Sequence, residues 1–199
     1  VLARRIFELK KARNLVDGPF VELNCATVRG DAAGSALFGH RKGAFTGAVG
    51  DREGLLKRAD GGVLFLDEIG ELGLDEQAML LRAIEDKEFE RVGGTRVVRS
   101  DFRVIAATNQ HLETMLASGR FRKDLFYRLN VIPLHIPPLR ERRGDILVIM
   151  RSFLEQTARE AGLAGIEIDR EAERALRACD WPGNVRELVN VLERSVSAL

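Results

Sequence analysis

Residues 61–68 read Gly-Gly-Val-Leu-Phe-Leu-Asp-Glu. The unbroken apolar run from Val63 to Leu66, entered through two glycines and left through two carboxylates, is the pattern of a strand buried on both faces. Such strands belong to parallel sheets covered by helices, and ligands of open α/β sheets collect at the carboxyl ends of the strands. Asp67 and Glu68 stand at such an end. The same residues also fit a buried strand followed by a solvated acidic turn.

Working outward, helical and extended patterns alternate. Leu2, Ile6 and Leu9 recur at helical spacing, which predicts an amphipathic helix over 1–13. Phe20 to Cys25 reads as a strand after Asp17-Gly18-Pro19. A helix is predicted over 75–86, capped by Asp75, with Ala78, Leu81 and Ala83 or Ile84 on its inner face. Gly93-Gly94 between two β-prone runs predicts a hairpin within 88–101. Phe102 to Ala107 and Val131 to Ile136 read as further strands. After Pro137-Pro138 the chain is almost entirely helical, with breaks at 162–165 and at Trp181-Pro182-Gly183. The reading is an α/β subdomain over 1–138, a parallel sheet flanked by helices, and a helical subdomain over 139–199.

Composition sets the broad class. Of 199 residues, 45% are hydrophobic and 31% charged, ordinary for a water-soluble globular chain, and the net charge of +1 does not itself call for nucleic acid or an anionic membrane. No apolar run has the length of a membrane span. Cys25 and Cys179 stand apart and read as two reduced, buried thiols. His40, His111 and His135 are isolated from other metal-ligating residues, and His40 reads as a packing residue.

Several further stretches carry chemistry. Gly43-Ala44-Phe45-Thr46-Gly47-Ala48 joins two glycines, three small residues and one aromatic. Glycine permits backbone turns that other residues resist, so Phe45 reads as an apolar tip on a flexible stalk that enters and leaves a partner. Thr108-Asn109 follows the strand ending at Ala107, where a hydroxyl and an amide reach a phosphate or simply start a turn. Asn24 ends the first strand. Arg122 and Arg128 lie six residues apart, each a permanently charged fork suited to phosphate or to surface ion pairs. In Trp181-Pro182-Gly183-Asn184-Val185-Arg186-Glu187-Leu188, Asn184 and Glu187 read as a capping box, and Arg186 opposes the helix dipole from the first turn.

Taken together these residues resemble, from end to end of the chain, the bacterial activators of sigma-54 RNA polymerase, ATPases of the AAA+ class. The resemblance implies a P-loop NTPase core with a helical lid, assembled as a ring, commonly a hexamer, with ATP between subunits. Val63 to Glu68 resembles a Walker B motif, in which Asp67 holds Mg²⁺ and Glu68 orients or deprotonates the attacking water. Thr108 and Asn109 match sensor I. Asn24 matches the asparagine that reads the state of Glu68. Arg122 and Arg128 match arginines supplied in trans, and Arg186 matches sensor II, a nucleotide contact from the lid. Gly43, Ala44, Phe45, Thr46, Gly47 and Ala48 match the loop that touches sigma-54, with the 88–101 hairpin as a second pore loop beside it. Segments 1–13 and 53–89 look most like the activator of the RNA-repair operon, and the part from Arg91 on like the generic activator. The resemblance also implies a bacterial, cytoplasmic protein whose promoter and enhancer DNA is bound by a domain outside these residues.

One element of the family pattern is missing. No Gly-x-x-x-x-Gly-Lys-Ser/Thr phosphate loop occurs in the 199 residues. In the family that loop precedes the helix that Val1 to Phe7 resembles, so the sequence reads as a fragment beginning after it, without the first strand of the sheet. A binding module that docks on sigma-54 without turnover, or a remodeller unrelated to transcription, are the other readings. The 199 residues by themselves are predicted to bind ATP poorly and hydrolyse little; a steady-state ATPase assay on the purified chain checks this, and sustained turnover would contradict it.

Overall fold

The computed structural model describes residues 1–28, 30–162 and 165–196. They form two compact units, Val1–Pro133 and Leu134–Leu199.

In the first unit, helix α1 (Leu2–Ala12) precedes strand β1 (Phe20–Asn24). Helix α2 (Asp31–Phe38), the short antiparallel pair β2 (Gly39–His40) and β3 (Arg52–Glu53), and helix α3 (Leu55–Arg58) follow. Then come β4 (Val63–Asp67), α4 (Leu74–Asp86), the hairpin β5 (Glu88–Glu90) and β6 (Val97–Arg99), β7 (Arg103–Ala106), α5 (Leu112–Ala117) and α6 (Lys123–Leu129). The main sheet is parallel, in the order β1-β4-β7, with β4 central. Val63, Leu64 and Leu66 of β4 are buried, as an apolar run between two strand neighbours and two helical layers requires. Leu64 and Leu66 join Leu37, Phe38, Leu56, Ile69, Leu80, Phe102 and Leu125 in one core.

The entry to β4 is built on close backbone approach. The Val63 N–H donates to the Pro19 carbonyl at 2.9 Å, and the Gly62 carbonyl accepts the Arg103 N–H at 3.0 Å. A Cβ on Gly62 would lie 2.1 Å from the Pro19 oxygen, so only glycine fits there.

The buried faces of two helices differ from the periodicity reading. In α1, Ala3 and Phe7 are buried, with Phe7 packed on Phe20 at 5.3 Å, while Leu2 and Leu9 are exposed. In α4 the buried stripe is Gln77, Leu80, Ala83 and Ile84. Gly73 occupies the cap position and Asp75 sits in the first turn, where a carboxylate favours the helix dipole without capping it. The hairpin lies where Gly93-Gly94 placed it.

Val131 to Ile136 is not a strand. Pro133 removes a ladder donor in the middle of the run. The Val131 N–H turns back to the Leu129 carbonyl at 2.9 Å, and Val131, Ile132, Leu134 and Ile136 are exposed.

The second unit holds α7 (Gly144–Ala161), α8 (Arg170–Ala178) and α9 (Asn184–Val196) around Ile146, Met150, Leu154, Trp181, Leu188 and Leu192. Gly162 ends α7 in the left-handed conformation, φ +68°. The break expected over 162–165 falls in part on residues 163 and 164, outside the described residues. Asn184 does not cap α9: its Oδ1 accepts the Leu139 N–H at 2.8 Å, while Glu187 Oε2 accepts the Gly183 N–H at 2.8 Å. Among the described residues no helix is long and apolar enough to cross a membrane.

Gly62→Ala is expected to lower stability by about 1–3 kcal/mol, the scale of overpacking a close approach. Gly144→Ala, where an added Cβ meets nothing within 4 Å, should change it by less than about 0.5 kcal/mol. Denaturant midpoints of the two variants check the contrast.

Candidate functional site

Strand register gathers the polar residues of the first unit. Asn24, the last residue of β1, pairs with Asp67, the last of β4. Beyond β7 the Ala107 N–H donates to the Leu66 carbonyl at 2.8 Å, and the Ala107 carbonyl accepts the Ile69 N–H at 3.0 Å. These two bonds bracket Asp67-Glu68 and set Thr108-Asn109 beside them. The Asn109 N–H donates to Glu68 Oε2 at 3.3 Å, and the Glu68 N–H to Asp67 Oδ1 at 3.1 Å.

Glu68 lies in the left-handed region, with φ 53° and ψ 48°. For a residue with a full side chain this conformation is uncommon, costs about 1–3 kcal/mol, and persists only where surrounding bonds impose it. Here the Ile69–Ala107 bond on one side and the Glu71 N–H to the Glu68 carbonyl at 2.9 Å on the other impose it. Both carboxylates are half-buried.

Asn24 is exposed, and its Oδ1 accepts the Ala26 N–H at 2.9 Å, capping the turn at Cys25–Thr27. Its side chain therefore makes a backbone bond here and none to Glu68. Thr108 Oγ1 accepts the Gln110 N–H at 3.0 Å. Cys25 is buried, and desolvation, reinforced by the nearby charge of Asp67, pushes its thiol up to about 12.

Arg122 forms a two-pronged ion pair with Asp124, at 3.1 and 2.7 Å. That pair raises the guanidinium and lowers the Asp124 carboxyl. Arg128 in α6 is exposed, and among the described residues it forms no ion pair. Arg186, exposed in the first turn of α9, belongs to the second unit.

The 43–48 segment is a hydrogen-bonded turn. The Gly43 N–H donates to the Ala48 carbonyl at 2.8 Å and the Ala48 N–H to the Phe45 carbonyl at 3.0 Å. Gly43 and Gly47 take φ +81° and +103°, which the turn requires. Ala48 is buried and Phe45 half-buried, its ring edge-on to His40 at 5.0 Å. His40 is itself buried, with Nδ1 2.7 Å from Ser35 Oγ, in keeping with its packing role. Gly93 of the hairpin turn abuts Ala44: a Cβ there would lie 2.6 Å from the Ala44 Cβ.

Two residues escaped the sequence reading. Asp51 closes the base of the loop, accepting the Lys42 N–H at 2.9 Å and pairing with Arg41, and these contacts hold its carboxyl below the usual range. No pattern pointed to it. Gln77 is fully buried and bonds the segment leading into Arg122. Its signal was present: an amide in register with Leu80 and Ile84 on the inner face of α4.

A parallel sheet that gathers carboxylate, amide and hydroxyl groups at its strand ends, followed by a helical unit, is the architecture of an AAA+ domain. The family profile described as Sigma-54 interaction domain matches residues 1–135, and the AAA+ ATPase lid domain profile matches residues 140–198. The chain belongs to the sigma-54 interaction domain family. It is 48% identical over 199 residues to a Nif-specific regulatory protein of Herbaspirillum seropedicae, covering 100% of this chain and 36% of the relative. It is 54% identical over 172 residues to the DNA-binding transcriptional regulator NtrC of Klebsiella pneumoniae, covering 86% and 37%. It thus spans about a third of the length of these relatives. Crystal structures of NtrX from Brucella abortus, one in complex with ADP and one with ATP, superpose with a TM-score of 0.81 at 42% identity, covering 89% of this chain and 38% of theirs.

Cys179 is exposed, contrary to the sequence reading, and neither cysteine is bonded to the other. Because the thiolate is the reactive form, a buried thiol raised to about 12 stays protonated and unreactive near neutral pH. One thiol per folded chain is therefore expected to react with an alkylating reagent at pH 8, and two after denaturation; mass spectrometry of the labelled chain counts them.

Proposed function

We propose that this chain is the motor core of a cytoplasmic, ATP-hydrolysing activator of sigma-54 RNA polymerase. The observation that carries the reading is the bracket at Ala107, which sets the Asn109 N–H 3.3 Å from Glu68 Oε2 beside Asp67. Glu68 orients or deprotonates the water that attacks the γ-phosphate, and Thr108 and Asn109 sense that phosphate. The donor set suits Mg²⁺, which takes one or two carboxylates with phosphate oxygens, so Asp67 is the residue that would hold it. When bound, the ion neutralises charge developing on the phosphates.

Arg122 and Arg128 act on the nucleotide of a neighbouring subunit in a hexameric ring, and Arg186 reaches the nucleotide from residues 139–199, the lid. The exposed Asp124 pair supports this role for Arg122, since such pairs contribute little and exchange readily for phosphate. Asn24 reports the state of Glu68 by exchanging its cap on Ala26 for the carboxylate. The change travels to the 43–48 loop, which lifts Phe45 from His40 and presses Phe45 and Thr46 onto sigma-54, with Gly43, Ala44, Gly47 and Ala48 shaping the contact. Contact of the hairpin with Ala44 supports a second loop moving with the first. DNA is bound by a domain outside this chain. The ADP and ATP complexes of NtrX support nucleotide binding by this chain.

In the full-length protein, Glu68→Gln is expected to lower ATP hydrolysis by about 10²–10⁴-fold, the scale of a general base, while leaving nucleotide binding in place. Phe45→Ala should keep hydrolysis and abolish sigma-54 engagement and promoter opening. ATPase assays paired with transcription from a sigma-54 promoter read both; a Phe45→Ala protein that still opens promoters contradicts the output role.

A further inference from the structure

Gln77 interrupts the apolar stripe of α4 yet is fully buried. Its amide is spent on three backbone groups. Nε2 donates to the Leu72 carbonyl at 2.8 Å and to the Arg120 carbonyl at 3.1 Å, and Oε1 accepts the Arg122 N–H at 2.8 Å. Leu72 closes the turn that begins at Glu68. Arg120 and Arg122 flank Phe121, whose ring is buried in the core. A single side chain therefore clasps the backbone on both sides of Phe121 and fastens it to the turn after Glu68.

The two ends of Arg122 are held very differently. Its backbone N–H is anchored to a buried amide, and removing that partner would leave buried groups unpaired. Its guanidinium rests in an exposed ion pair with Asp124, which exchanges easily. The backbone is fixed and the charged tip is free to change partners, the division of labour that a donated arginine requires.

We propose that Gln77 is a positioning residue for Arg122: it sets the point from which Arg122 reaches the neighbouring subunit's nucleotide, and couples that point to the turn after the donor subunit's own Glu68. The inference rests on the trans role of Arg122 given above. Gln77 touches no nucleotide; it acts through the backbone of Arg122.

Subunit mixing in the full-length protein tests it. Gln77→Met keeps the length of the side chain and removes its hydrogen bonds. Gln77→Glu, whose buried acid in its neutral form keeps an acceptor and one donor, carries the same test if the methionine variant does not assemble. Alone, Gln77→Met should lose about 10–100-fold in ATPase kcat, the cost of a misplaced catalytic group, with KM for ATP little changed. Gln77→Glu should retain more. Mixed one to one with Glu68→Gln, the Gln77 variant should recover to about a quarter of the unmodified rate, because a quarter of the interfaces then join an intact arginine to an intact Glu68. Mixed with Arg122→Ala, it should not recover, since both partners lack a placed arginine. Recovery with Arg122→Ala, or no recovery with Glu68→Gln, overturns the proposal and makes Gln77 a residue of its own subunit's site or of the core. A control mixture of Glu68→Gln with Arg122→Ala separates the two levels: without recovery there, the trans role of Arg122 itself fails.

Discussion

The parallel register of β1, β4 and β7 governs where every polar group of the first unit can stand. Because Asn24 pairs with Asp67, and Ala107 is bonded on both sides to Leu66 and Ile69, three chain segments leave the sheet at one edge. A slip of one residue would turn each side chain to the opposite face and disperse the group. The register is in turn held at the far end by Gly62, wedged between Pro19 and Arg103 with no room for a side chain. The gathering of polar groups at one end of β4 thus depends on a steric fit at the other.

Much of this was legible in the sequence for simple physical reasons. A strand buried on both faces has no polar alternation, and Val63 to Leu66 shows none. Gly93-Gly94 can hardly be anything but a turn. Harder cases arose where tertiary contacts outweigh local pattern. The apolar residues of α1 follow helical spacing, yet the buried ones are Ala3 and Phe7, with Phe7 packed on Phe20 of the sheet. Val131 to Ile136 has strand-like composition, but composition says nothing of whether a ladder partner exists, and Pro133 withdraws a donor. Asn184 looked like a cap and instead bonds Leu139, a partner 45 residues away in the chain. Gln77 acts through contacts of the same long-range kind, with Arg120 and Arg122. The carboxylates and amides of the strand ends were found by position in the pattern, whereas the clasp on Arg122 required coordinates.

The hexapeptide is the clearest case of structure changing the meaning of a motif. Composition suggests a flexible stalk with an apolar tip. The fold gives it closed hydrogen bonds, a base held by Asp51, a ring packed on His40 and a neighbour in Gly93. It is a closed turn, and displacing Phe45 would break its ring contact with His40 and disturb the hairpin beside Ala44.

The left-handed backbone at Glu68 has a further consequence for how such a chain tolerates change. Glycine or asparagine would occupy that conformation with less strain. A screen for thermal robustness alone would therefore drift toward replacing the very carboxylate that accepts the Asn109 N–H.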